Sequence, residues 1–194
     1  MVYNLPKLPV REENSNKGTF GKILNVSGSE YMTGAACLSS VAALRTGAGY
    51  VELASHENAL KAAACLSPEI VLAPIDKISE IIKSSTVLLI GCGLSTTANA
   101  VRIFKDTLEL AEKISTVIDA DGLNTLAKMN MSILQNTKCK LILTPHLKEF
   151  ERLSKIEIED INKDEITIAK DFAKQYKVIL LLKGPTTIVT NGEK

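Results

Sequence analysis

Five short clusters in this sequence combine glycine, hydroxyl and charged residues in ways that could do chemistry. They are Ser27-Gly28-Ser29, Gly91-Cys92-Gly93, Asp119-Ala120-Asp121, Thr144-Pro145-His146 and Lys183-Gly184-Pro185-Thr186-Thr187. The glycines let a ligand approach the backbone, and a helix that opens after such a turn attracts an anion. The carboxylates and the imidazole could move protons near neutral pH. The ammonium and the neighbouring hydroxyls could hold phosphate oxygens. No Ser-His-Asp or Cys-His pattern is readable from the spacing.

Each cluster follows a short apolar run. The runs span 22–28, 49–55, 68–74, 86–93, 115–121, 140–146, 177–184 and 186–192. Most are apolar on consecutive positions, which predicts strands covered on both faces in a mainly parallel sheet. Helical patterns alternate with them at 33–49, 96–113 and 163–177. The first is rich in small residues, with Ala36, Ser40, Ala43 and Gly47 on one face. Alternating strands and helices predict a three-layer α/β/α sandwich, one domain over residues 1–194. Ligands in such sheets bind beyond the carboxyl ends of the strands, where the five clusters stand.

Composition narrows the field. The chain has 194 residues, 45% of them hydrophobic, with a net charge of +1. That balance, with 4% aromatic residues, argues against nucleic acid as a partner. The cysteines at 37, 65, 92 and 139 form no Cys-x-x-Cys pair, and the only histidines are His56 and His146. A protein-held metal site is therefore not expected. Scattered cysteines suit reduced thiols and a cytoplasmic setting. No run reaches the roughly 18 apolar residues of a membrane span, and the first 20 residues do not read as a signal peptide. "GTFGK" lacks the spacing and the hydroxyl of a Walker A loop. Asp121 reads as a helix cap more readily than as a site acid, and His56 as a surface residue opening a helix. His146 alone is equally a turn residue or a ligand contact, and Lys183 a solvent-reaching or a phosphate-binding lysine.

Taken in order, "KGTFGKILNVSGSEYMTGAA", "ALRTGAGYV", "SPEI", "IGCGLS", "DADGLN", "LTPHLKEFERL" and "LKGPTTIV" resemble the ribokinase-like NAD(P)H-hydrate dehydratases. The resemblance runs over nearly the whole chain. It implies removal of water from hydrated NADH or NADPH at the expense of ADP or ATP, with Mg2+. It places Ala35, Gly93 and His146 at the hydrated cofactor, and Lys183, Gly184, Pro185, Thr186 and Thr187 at the nucleotide. Cys92 stands where the family usually has proline. The family's catalytic aspartate, in a Gly-x-Gly-Asp turn, has no counterpart in these residues. Asn191-Gly192 also announces a hairpin without a returning strand. The expectation is a ribokinase-like domain truncated at its C-terminus, inactive or partial, with an exposed apolar patch near 177–190 and a homo-oligomeric state. Alternative functions are a ribokinase-like kinase of a small alcohol and a non-catalytic nucleotide-binding fragment.

Overall fold

A computed structural model describes Val10, residues 12–135 and residues 138–193. Half of the first 20 residues, 1–9 and 11, lie outside the described residues. The strands are β1 (Lys22–Val26), β2 (Tyr50–Ser55), β3 (Val71–Pro74), β4 (Val87–Ile90), β5 (Ser115–Ile118), β6 (Leu141–Leu143), β7 (Ile179–Leu182) and β8 (Ile188–Thr190). The helices are α1 (Thr33–Arg45), α2 (Glu57–Leu66), α3 (Ile78–Ile81), α4 (Ala98–Leu110), α5 (Asp121–Leu126), α6 (Ser132–Gln135), α7 (Leu147–Ser154), α8 (Ile158–Ile161) and α9 (Glu165–Tyr176). All eight apolar runs of the sequence thus hold a strand, and the three long helical patterns hold α1, α4 and α9.

One eight-stranded sheet runs in the order β3-β2-β1-β4-β5-β6-β7-β8. Neighbours are parallel throughout except β7 and β8, which are antiparallel. The order turns back between β1 and β4, the point at which the loops after two neighbouring strands diverge and leave a crevice.

The register explains the core. Ala54, Val26, Ile90, Ile118, Leu143 and Leu180 align in one row across the sheet. Every one of them is fully buried. They pack with Phe104 and Leu108 of α4, Leu123 of α5, Phe150 of α7 and Phe172 of α9. Helix α4 buries Ala100, Phe104, Thr107 and Leu108, the three-and-four spacing of an apolar helix stripe. Phe150 and Phe172 meet edge to face with centroids 5.1 Å apart.

The opposite face is covered unequally. Its row is Leu53, Asn25, Leu89, Val117, Ile142 and Ile179. Leu53 and Asn25 are fully buried, Leu53 in a cluster with Ala36 and Cys37 of α1 and Ala59 and Ala63 of α2. Leu89, Val117, Ile142 and Ile179 are only half-buried. Along β7, β8 and the residue before β7, Val178, Leu180 and Leu182 are buried, Ile179 and Leu181 are half-buried, and Val189 is 60% exposed. Apolar runs in β4 to β8 therefore do not mean cover on both faces. Among the described residues the second helical layer stops at α1 and α2. Within 177–190 the apolar surface that stays open is limited to alternate residues, with Val178 on the covered side.

The Asn191-Gly192 signal forms a bend held by side chains. Gly192 N–H donates to Thr190 Oγ1 and Glu193 N–H to Asn191 Oδ1, each at 3.0 Å. Gly192 has φ +91°, and a methyl there would come within 2.6 Å of Lys174 in α9.

Candidate active site

The five clusters lie on one rim, tied together by hydrogen bonds between successive strand ends. Gly28 N–H donates to the Cys92 carbonyl at 2.8 Å, closing the loop after β1 onto the loop after β4. Ser95 N–H donates to Asp121 Oδ2 at 2.9 Å, joining that loop to the turn after β5. Thr144 N–H donates to the Ile118 carbonyl at 3.3 Å, and Lys183 N–H to the Pro145 carbonyl at 2.8 Å. His146 and Lys183 also form an isolated parallel bridge.

The rim is locally strained. Gly28, Gly91 and Gly93 have φ of +79°, +119° and +63°. Ser95 and Ala120 also sit at positive φ, +74° and +52°. Side chains other than glycine adopt such angles only when the surroundings hold them there. At Gly91 the need for glycine is steric: a methyl would stand 2.2 Å from the Asp119 carbonyl oxygen.

Ala35 and Gly93, both expected to line a cofactor site, touch each other. A methyl added at Gly93 would lie 2.6 Å from the Ala35 Cβ. Their small size therefore serves close packing of α1 on the β4 loop as well as ligand approach. A cleft of about 350 Å3 begins at the next residue, Leu94, and neither Ala35 nor Gly93 is among its lining residues. Leu94, Ala100 and Ile103 line it with the polar Ser29, Ser95 and Asn99.

His146 is the N-cap of α7. Its Nδ1 accepts from Lys148 N–H at 3.1 Å and Glu149 N–H at 3.3 Å. Glu149 reciprocates by accepting from His146 N–H at 2.9 Å, completing a capping box. Two donors on Nδ1 leave Nε2 as the ring's donor atom. The side chain is 53% exposed, and that donor lies 3.5 Å from Glu149 Oε1. Turn residue and ligand contact are thus compatible roles. His56 likewise caps α2, accepting from Asn58 N–H at 3.2 Å.

Asp121 is not the cap of α5. That position is Ala120, and Asp121 is the first helical residue. Its carboxylate instead secures the β4 loop through Ser95, and accepts weakly from Asn124 Nδ2 at 3.4 Å. Asp119 accepts at Oδ1 from Ala120 N–H at 2.8 Å and from Lys183 Nζ at 3.0 Å. This ion pair spans 64 residues of sequence, and no spacing rule announces it. Cys92 lies within the field of both charges. Its thiol is pushed up to about 11, first by burial and next by Asp119, while Lys183 acts in the opposite sense.

Gly184, Pro185, Thr186 and Thr187 follow Lys183 as an exposed connection from β7 to β8. Their hydroxyls and amides stand free of the core. No group of three or more His, Cys, Asp or Glu side chains among the described residues is arranged to hold a metal ion. Among the described residues no helix is long and apolar enough to cross a membrane.

The NAD(P)H-hydrate dehydratase family model matches residues 23–194. The chain belongs to the NAD(P)H-hydrate dehydratase family. The bifunctional NAD(P)H-hydrate repair enzyme Nnr of Moorella thermoacetica is 34% identical over 94% of this chain and 37% of its own length. The ADP-dependent (S)-NAD(P)H-hydrate dehydratase of Listeria monocytogenes is 32% identical over 96% of this chain and 66% of its own. Among solved structures, the ADP/ATP-dependent NAD(P)H-hydrate dehydratase of Bacillus subtilis, co-crystallized with ATP/Mg2+, matches with a TM-score of 0.82 at 27% identity. That match covers 96% of this chain and 66% of the other. A hydroxyethylthiazole kinase from Pyrococcus horikoshii matches with a TM-score of 0.59 at 15% identity, which shows the ribokinase-like fold alone. The chain spans a little over a third of the length of the bifunctional relatives it matches.

Proposed function

We propose that this chain supplies the cofactor-repair fold of an ADP-dependent NAD(P)H-hydrate dehydratase, a lyase that removes water from hydrated NADH or NADPH. The observation that carries the reading is the bridge between His146 and Lys183. It joins the segment expected to hold nucleotide to a residue expected to meet the hydrated ring. Ala35 of α1 and Gly93 of the loop after β4, which pack together, form one wall of the hydrated-cofactor site. His146 offers its Nε2 hydrogen to the substrate. Lys183 and the hydroxyls of Thr186 and Thr187 take phosphate oxygens, with Gly184 and Pro185 shaping the loop. Magnesium would arrive on the nucleotide, because Mg2+ commonly keeps its waters and binds through phosphates and few carboxylates. It would neutralise phosphate charge there. The lysine-and-threonine segment fits such a charged nucleotide, and ATP would fit the same chemistry as ADP.

The setting we infer is cytoplasmic, with residues 1–194 acting as one unit and the chain self-associating as a homo-oligomer. Light scattering on the purified chain reads the last point.

Incubation of full-length protein with hydrated NADH, ADP and Mg2+ tests the activity. Loss of the hydrate with recovery of NADH is the expected result. Phosphorylation of a small alcohol without loss of hydrate would instead assign a kinase.

A further inference from the structure

We propose that Asp119 is the resting partner of the Lys183 ammonium, and that a phosphate of the bound nucleotide displaces it. The inference rests on the reading of Lys183 to Thr187 as the nucleotide segment. Asp119 follows β5 and Lys183 follows β7, with β6 between them. The lysine side chain therefore crosses the end of β6 to place Nζ 3.0 Å from Asp119 Oδ1. A lysine that only met solvent would extend away from the sheet, where its entropy is greatest.

Both backbones are fixed. Asp119 N–H donates to the Ile90 carbonyl at 3.2 Å, and its own carbonyl accepts from Gly122 N–H at 3.0 Å. Its Oδ1 is also held by Ala120 N–H at 2.8 Å, across a residue at φ +52°. The carboxylate cannot follow the lysine away. The lysine can leave: its side chain is 41% exposed, against 27% for the aspartate. An ammonium has three donors, and Asp119 takes one. A nucleotide phosphate carries more charge than one carboxylate, and its oxygens bind ammonium strongly.

The exchange links the two halves of the rim. With Lys183 on phosphate, Asp119 is left uncovered beside Cys92, the residue before Gly93, on the side expected to take the hydrated cofactor. Nucleotide arrival thereby adds a net negative charge where the substrate's ring is expected. Asp119 is a positioning residue in this scheme.

Calorimetric titration of the chain with ADP and with adenosine tests it, using Asp119→Asn, Lys183→Gln and the double variant, each shown to be folded by circular dichroism. Asp119→Asn is expected to bind ADP about two- to fivefold tighter, as a partly exposed pair allows, with adenosine unchanged. Lys183→Gln is expected to weaken ADP about tenfold or more. Adding Asp119→Asn to Lys183→Gln is expected to bring no tightening. If Lys183→Gln weakens ADP but Asp119→Asn does not tighten it, the exchange is wrong and the nucleotide segment stands. If Lys183→Gln has no effect, or no form binds ADP, both readings fall. Should Asp119→Asn not fold, Asp119→Ser is measured in its place with the same expectations.

Discussion

Gly93 lies so close to Ala35 that the two positions must be read as one packing unit: a Cβ at Gly93 would stand 2.6 Å from that of Ala35 and 3.0 Å from that of Met32. Gly93 also sits at φ +63°, where any side chain is strained. Gly93→Ala is therefore expected to destabilise the fold by about 1–3 kcal/mol, read by urea unfolding. Ala35→Gly in the same molecule removes the clash with Ala35, but not the close approach to Met32 or the backbone strain. The double variant should recover part of the loss, so that the two effects are not additive. Strict additivity would show that Ala35 is not the neighbour that matters. Loss of ligand by a bulky Gly93 variant would then not by itself place a ligand at Gly93.

Alternate residues of β7 should differ sharply in cost. Leu180 is fully buried against the helices, and Leu181 is half-buried on the opposite face. Leu180→Ala is expected to cost about 2–5 kcal/mol, the range for a fully buried leucine. Leu181→Ala should cost below about 1 kcal/mol, as for positions away from the core. Equal costs for the two, measured by denaturant unfolding, would mean that the open face is covered in solution.

Cys92 gives the fold an alkaline weakness. Its thiol is raised from the ordinary 9.0 to about 11, by burial first and then by Asp119. The unfolded chain therefore loses this proton at lower pH than the folded one. Stability associated with Cys92 is fully present below about pH 9 and is lost as pH rises towards about 11. The difference in unfolding midpoint between the parent and Cys92→Ser should change across that window and stay flat below it. Cys37 and Cys139 are raised too, so only the difference between the two proteins isolates Cys92. A constant difference up to pH 11 would show that the thiol is not held in a desolvated place.

Much of this architecture was legible in the sequence because strands and helices leave local periodicity. Each apolar run contains a strand, and the five clusters follow β1, β4, β5, β6 and β7. Two things had no local signal. Consecutive apolar residues cannot tell a strand covered on both faces from one with a half-open face. Leu89, Val117, Ile142 and Ile179 look like Leu53 in the sequence, and only register and helix placement separate them. The pairing of Asp119 with Lys183 depends on strand order, which puts two residues far apart in sequence within reach. Asp121 was misread for a related reason. A cap hydrogen bond is local and predictable, whereas its bond to Ser95 follows from the neighbouring of β4 and β5.

The final prediction concerns turnover by these 194 residues alone. Dehydration of the hydrated ring needs a group that moves a proton, and such a group contributes about 10²–10⁴-fold. Both carboxylates of the turn after β5 are engaged. Asp121 is held by Ser95 N–H at 2.9 Å and Asp119 by Lys183 at 3.0 Å. The family resemblance assigns catalysis to an aspartate in a Gly-x-Gly-Asp turn, a motif these residues do not contain. The 194-residue chain is therefore expected to show no detectable loss of hydrated NADH in the presence of ADP and Mg2+. The same chain joined to a segment bearing that turn should regain activity. Both proteins are to be assayed at equal concentration, with folding verified by circular dichroism. Comparable turnover by the short chain would move the chemistry onto a residue present here. Asp119 would then be the first to test, because nucleotide binding is what uncovers it: an Asp119→Asn variant that lost this turnover while still binding ADP would place the proton transfer on that carboxylate.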